Sequence, residues 1–218
     1  MLPKKTIIFD VDGTLFSSIA VILHCFQETF EILQEKFPGN EEIKKFIGCG
    51  LNVIFMNFLS KEKIEKAINI YREKYLALQR KGLSNEGVNI IPGVLEILQN
   101  LHQKKFNIGA FTMKSYDATI ELFKLAHINQ YFSIIVGFEN VKNSKPDPEG
   151  LFKCQEFFAS KKEEMLFVGD SLHDGECSRK AGIDFAAVLT GTTSKDSFQK
   201  AGFKNILKSV KDLLNFLS

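Results

Sequence analysis

The segment TIIFDVDGTLF, Thr6 to Phe16, runs from an apolar stretch into two acids, Asp10 and Asp12, separated by one Val and followed by Gly13-Thr14. Neighbouring carboxylates repel, and an unpaired buried charge is costly. The stretch therefore reads either as a solvated strand end with an Asp-Gly turn or as a place built for a cation. Other polar residues close or follow other apolar runs: Thr112, Lys145, Asp170 and Asp174. Each of these types has a task in phosphoryl transfer. Crowded carboxylates need a cation, and hard oxygen ligands suit Mg²⁺. Asp10 would attack phosphorus as a nucleophile, and Asp12 would protonate the leaving alkoxide and later deprotonate a water. Gly13 would let backbone N–H groups approach phosphoryl oxygens. Lys145 and the Thr112 hydroxyl would neutralise and orient the phosphate.

These residues share a site only if their strands lie side by side. Apolar runs at Lys5–Asp10, Phe106–Thr112, Ser133–Gly137 and Met165–Asp170 read as buried strands, with a fifth at Phe185–Thr190. Helical patterns fall between them. One begins at Pro92-Gly93 and keeps Val94, Ile97, Leu98 and Leu101 on one face; one opens at the N-cap candidate Ser115; one places Pro148 at its first position. Such alternation specifies an α/β fold, a doubly wound parallel sheet with helices on both faces. All the candidate residues then lie along one edge, where open sheets bind ligands.

The span from about Phe16 to Ile91 has no strand pattern and reads as helices over Ser17–Phe37, Glu41–Ile47, Leu51–Leu59 and Lys61–Arg80. It is far longer than an ordinary crossover. We expect a small helical cap over residues 16–87, returning through Gly82–Pro92, and a core domain of residues 1–15 and 88–218.

Composition sets the outer limits. With 218 residues, 44% apolar and 25% charged, the chain suits one globular α/β domain with an insertion. A net charge of +2 with mixed signs argues against a nucleic-acid partner. The apolar start is too short for a signal peptide, and no run is long enough to span a membrane. The four cysteines and four histidines are scattered, without zinc-ligand or disulfide spacing, which suits a reduced cytoplasmic protein. A monomer or weak homodimer acting on a small phosphorylated metabolite is the expectation.

In order and spacing, DVDGT (Asp10 to Thr14), Thr112, SKPDP (Ser144 to Pro148) and GDSLHD (Gly169 to Asp174) resemble the four motifs of the haloacid dehalogenase-like hydrolase superfamily. The phosphoglycolate phosphatase-like subgroup is nearest in appearance. The resemblance implies a Mg²⁺-dependent phosphatase working through an aspartyl-phosphate, with Asp10 as nucleophile and Asp12 as acid/base. It implies Mg²⁺ held by Asp10, the Asp12 main-chain carbonyl and Asp170, with Asp174 in outer support. Singly, the motifs have plainer readings: GDSLHD could cap a helix through Asp170 or Ser171, and Asp174 could answer the helix dipole.

Three departures stand out. Met113 follows Thr112 where relatives commonly carry Asn, and Lys114 next to it reads equally as a substrate contact or a solvated lysine. Ser17 stands where Asp is frequent, and reads as a helix N-cap. Cys177 and Ser178 replace small apolar residues after Asp174. Asp12 argues against dehalogenation, since a halide needs no proton. Ile22 stands where sugar-phosphate mutases carry His. No cap lysine is singled out for a Schiff base. A mutase, or a non-catalytic phosphate-binding protein, is the alternative. Substrate choice is assigned to the cap turn Lys45 to Phe55, where Gly48 permits a loop dipping toward the nucleophile and Phe46, Leu51 and Phe55 pack or shape the pocket. That turn has no arginine, and Arg72 and Arg80 in the last cap helix read as exposed.

Overall fold

A computed structural model describes residues 4–81 and 87–217. The core is a six-stranded, all-parallel sheet in the order β5-β4-β1-β6-β7-β8. Its strands are β1 (Thr6–Phe9), β4 (Asn107–Phe111), β5 (Ile134–Val136), β6 (Met165–Gly169), β7 (Asp184–Val188) and β8 (Ile206–Leu207). The missing numbers, β2 (Phe16–Ser17) and β3 (Asn89–Ile90), pair antiparallel as a separate ribbon. Besides four single-turn 3₁₀ helices, the described residues form ten α-helices: α1 (Ile19–Ile32), α2 (Asn40–Lys44), α3 (Leu51–Met56), α4 (Lys61–Arg80), α5 (Val94–Gln103), α6 (Tyr116–Leu125), α7 (Glu149–Phe158), α8 (Leu172–Ala181), α9 (Lys195–Lys200) and α10 (Leu213–Leu217).

β1 is central because both of its faces are apolar. Side chains alternate across the pleat: Ile7 and Phe9 join Ile108, Ala110, Leu166, Val168, Ala186 and Val188 on one side. Ile8 joins Phe111, Phe167, Phe185 and Ala187 on the other. Both neighbours of β1 are in register: Phe9 faces Ala110 of β4 and Val168 of β6. The residues following these strands, Asp10, Thr112 and Asp170, therefore emerge side by side.

The helical insertion follows β1, as expected, and comprises α1 to α4. Its own core is aromatic: Phe26 meets Phe55 at 5.1 Å and Tyr71 at 4.6 Å, and Phe30 meets Phe55 at 6.1 Å. Phe55 is thus a packing residue, as is Phe46 against Phe58. The span is not free of strands, however. Phe16 pairs with Ile90 and Ser17 with Asn89, so the chain leaves and re-enters the core on a two-strand stalk. Two residues carry no periodicity, and this ribbon cannot be read from pattern. The expected return linker falls partly on residues 82–86, outside the described residues. Ser17 is an exposed strand residue rather than a helix cap. Ser18 takes the N-cap position of α1 and turns its hydroxyl to the Phe16 carbonyl instead of the helix. Pro148 likewise sits at the N-cap of α7, one residue before the expected place, and β8 was too short to anticipate.

Candidate active site

Asp10, Asp170 and Asp174 converge with carboxylate oxygens within 4.8 Å of one another, and all three are buried. Lys145, from the loop after β5, enters this cluster fully buried. Its ammonium donates to Asp10 Oδ1 at 2.7 Å, Asp174 Oδ1 at 2.8 Å and the Phe111 carbonyl at 2.8 Å, so all three of its donors are used. Burial works against the charged lysine, yet the Asp10 and Asp174 carboxylates outweigh it and hold the group ionised well above the usual range. Asp174 Oδ2 accepts from the Ser171 hydroxyl at 2.5 Å and the Ser171 amide at 3.1 Å, while Ser171 Oγ accepts from the Asp174 amide. That is a capping box. Asp174 therefore both caps α8 and anchors Lys145.

Asp170 is enclosed by two loops. Its Oδ1 lies 3.3 Å from the Thr14 hydroxyl, and its Oδ2 accepts from the Thr192 amide at 2.9 Å. Thr190 donates to the Gly13 carbonyl at 2.6 Å. A Cβ at Gly13 would lie 2.6 Å from Asp170 Oδ2, and one at Gly191 only 1.8 Å away, so both positions need glycine for the backbone to come this close. Gly13 also has φ +85°. Its own amide donates to the Phe16 carbonyl at 2.7 Å and is therefore occupied within the turn. The Thr190–Thr192 loop escaped sequence reading. The available signal was a Thr-Gly-Thr ending on another strand of the same edge.

Three acids against one ammonium leave two negative charges in excess. Burial pushes Asp10 well above the ordinary carboxylate range, with Asp174 and Asp170 adding to the rise against Lys145. Burial, then Asp174, pushes Asp170 up to about 7. A set of hard oxygen donors short of two positive charges fits Mg²⁺. Asp10 and Asp170 would hold it, and it would share the negative charge that builds on phosphoryl oxygens.

Asp12 stands apart from this cluster. Its carboxylate faces Lys114, with Nζ 3.1 Å from Oδ2, and Tyr75 of α4, whose hydroxyl donates to Oδ1 at 3.4 Å. Lys114 is thus not a solvated lysine. Thr112 Oγ1 accepts from the Lys114 amide at 3.2 Å, and Met113 lines the cavity. The cavity measures about 860 Å³ and opens between core and insertion, with Asp10, Asp12, Asp170, Thr112 and Lys114 among its walls. Gly48 and Leu51 of the cap turn reach it. At Gly48 a Cβ would lie 2.9 Å from Ser171 Oγ, so the turn does dip to the core edge. His173 of α8 meets the Lys45 carbonyl at 3.1 Å, a cap contact where the sequence suggested none. Arg72 needs correction too: it is half-buried, whereas Arg80 is exposed as expected. Both line the cavity; Arg80 pairs with Glu121 at 2.9 Å, whereas Arg72 lies over the Phe138 ring at 4.7 Å. Periodicity places them beside the buried stripe of α4 but cannot say that this side faces a cavity.

A family model for haloacid dehalogenase-like hydrolases matches residues 7–188. The chain belongs to that family. Among curated relatives, the pyrophosphatase PpaX of Halalkalibacterium halodurans is 31% identical over 98% of this chain and 96% of its own. PpaX of Bacillus cereus is also 31% identical, over 98% and 96%. A solved hydrolase from Pseudomonas syringae superposes with a TM-score of 0.88 at 22% identity, covering 98% of each chain. A predicted phosphoglycolate phosphatase from Haemophilus somnus does so with a TM-score of 0.88 at 19% identity, covering 100% of each. The two structural likenesses establish the fold, and the family match makes this protein a haloacid dehalogenase-like hydrolase. No helix among the described residues is long and apolar enough to cross a membrane.

Proposed function

We propose that this hydrolase removes the phosphoryl group of a small phosphorylated molecule in two steps through Asp10, with Mg²⁺ as cofactor. The observation that carries the reading is the convergence on one cavity of Asp10, bonded to buried Lys145, and the separate carboxylate of Asp12. An Asp10 oxygen attacks phosphorus. The bond to the leaving oxygen breaks, and that oxygen takes its proton from Asp12. Water then attacks the aspartyl-phosphate, Asp12 takes a proton from it, and the phosphorus–Asp10 bond breaks to restore the carboxylate. Lys145 keeps Asp10 aimed and offsets its charge, while Thr112 and the cap turn border the phosphate position and limit water.

Arg72 supports a finer statement of substrate. Among the described residues it makes no ion pair, and its guanidinium is held at the cavity wall against Phe138. A departing group that is itself anionic would supply the missing partner. Pyrophosphate is the first candidate, a choice supported by the names of the curated relatives; phosphoglycolate is the second.

The test is phosphate release from pyrophosphate, phosphoglycolate, a sugar phosphate, a nucleoside monophosphate and an aryl phosphate, with Mg²⁺ present or chelated. Release requires Mg²⁺ and is abolished by Asp10→Asn. Arg72→Gln raises KM for pyrophosphate and phosphoglycolate about tenfold or more, as expected for a lost charge-assisted contact, and leaves the aryl ester unchanged. Preference for neutral leaving groups with no effect of Arg72→Gln removes the anionic-substrate reading, and turnover by Asp10→Asn removes the mechanism.

A further inference from the structure

The carboxylate that serves as acid and base is not held by the acidic cluster. Its two oxygens are each engaged by a residue that the transfer steps do not use. The Tyr75 hydroxyl donates to Asp12 Oδ1 at 3.4 Å, and Lys114 Nζ lies 3.1 Å from Oδ2. The two also meet each other, the ammonium standing 3.7 Å from the centroid of the Tyr75 ring. They come from separate parts of the chain. Asp12 belongs to the turn after β1, Lys114 to the loop after β4, and Tyr75 to the last helix of the insertion.

Neither partner is a casual surface contact. The side chain of Lys114 is 7% exposed, and Tyr75 is 4% exposed, stacked on Tyr71 with centroids 6.0 Å apart. Burial, with Asp12 alongside, pushes the Tyr75 phenol well above the ordinary tyrosine range. A lysine over an aromatic face is drawn to the ring as well as to the carboxylate, so removing the ring would also loosen the lysine.

We infer that Tyr75 and Lys114 are positioning residues that together hold the Asp12 carboxylate in its working rotamer, and that acid/base alignment therefore depends on a seated cap. The inference rests on the reading of Asp12 as acid and base. A general acid contributes only within hydrogen-bond reach of the atom it protonates, and a carboxylate is free to rotate unless both oxygens are engaged. Lys114 comes from the core and Tyr75 from the cap, so the pair completes the clamp only when the two meet. The clamp also gives a use to the strand end where Met113 offers no side-chain amide: the polar contact there is made by Lys114, one residue further on.

The test compares an aryl phosphate, whose leaving group departs without help, with an alkyl phosphate, whose alkoxide needs a proton. The proteins are the Mg²⁺-loaded parent, Asp12→Asn, Tyr75→Phe, Lys114→Met, Lys114→Arg and the Tyr75→Phe/Lys114→Met double variant. Asp12→Asn calibrates the assay by depressing alkyl turnover more than aryl turnover. Tyr75→Phe and Lys114→Met each lower kcat for the alkyl ester about tenfold more than for the aryl ester, a fraction of what a general acid provides. Lys114→Arg recovers part of that ratio, and the double variant loses less than the product of the single losses. Tyr75→Phe adds no cavity and keeps the ring, so its effect is not one of folding; Lys114 gives an independent reading. If both variants lower the two esters equally, or neither changes the ratio while Asp12→Asn does, the clamp is structural and the inference fails. If Asp12→Asn itself shows no alkyl selectivity, the underlying acid/base reading fails instead.

Discussion

At the residue scale the central fact is a charge imbalance inside a buried site. Asp10 and Asp170 both titrate above their ordinary range because burial disfavours their charged forms, Asp170 at about 7. The consequence for stability has a definite sign. A carboxyl group whose folded value is raised binds protons more readily in the folded chain than in the unfolded one. Through Asp170 the metal-free protein therefore loses stability as pH rises from the unfolded value of about 4 through about 7, and Asp10 adds a loss of the same sign. Mg²⁺ binds the charged forms, so its stabilisation grows over the same range. We expect saturating Mg²⁺ to raise the melting temperature more at pH 8 than at pH 6, and Asp170→Asn to reduce both the shift and its pH dependence. Thermal melts at the two pH values check this, and an equal Mg²⁺ shift at both would contradict it. Asp10 and Asp170 were legible in the sequence because charged residues stand out at the ends of apolar runs, and Lys145 because it sits in SKPDP in the loop that follows one. Thr190 and Thr192 were not, since a hydroxyl on a loop is commonplace until its partner is known.

At the element scale, the long regular pieces were legible and the short or tertiary ones were not. The Lys61–Arg80 helix has the predicted bounds because twenty residues carry several turns of apolar period. The two-residue ribbon and β8 carry none. The faces of α4 show a further limit. Ala67, Tyr71 and Tyr75 are buried at four-residue intervals, yet Tyr75 ends on Asp12 and neighbouring Arg72 faces the cavity. Where the cap meets the core at Gly48, a prediction follows from backbone geometry. Gly48 has φ +103°, and a Cβ there would lie 2.9 Å from Ser171 Oγ. In Gly48→Ala the strained backbone costs on the order of 1 kcal/mol, or about 2–4 °C in a protein of this size. The added methyl also pushes the turn off α8. We expect kcat/KM to fall by about tenfold or more, well beyond what that small loss of stability entails. Unchanged kcat/KM alongside a lowered melting temperature would mean that the turn need not seat against Ser171.

At the scale of the whole molecule, an insertion is joined to a core by a narrow ribbon and by a seam in which one apolar cluster runs from the cap to a face of the sheet, edged by polar contacts. The seam includes His173 on the Lys45 carbonyl at 3.1 Å, Gln79 on the Ala118 carbonyl at 3.0 Å and Arg80 on Glu121 at 2.9 Å. The opposite face of the sheet carries a separate apolar cluster that holds Cys154 and Cys177 and no cap residue, and polar contacts beside a cavity open at lower free energy than such an interior. The cysteines report on this division because they are distributed across it: Cys25 in α1, Cys49 in the cap turn at the cavity, Cys154 in α7 and Cys177 in α8. All are buried, and burial first of all pushes Cys49 up to about 11 and the other three up to about 12. At pH 8 only about one thiol in 10³ to 10⁴ is ionised at such values, so alkylation of the folded state is slow. Opening the seam exposes Cys49 and leaves Cys154 and Cys177 packed against the sheet. In mass-spectrometric labelling with iodoacetamide we therefore expect Cys49 to react first and Cys154 and Cys177 only at the rate of global unfolding. Inorganic phosphate with Mg²⁺ should slow Cys49 by favouring the seated cap. Labelling of Cys154 as fast as Cys49 would mean that core and insertion open together, and that the seam is no weaker than the interiors it joins.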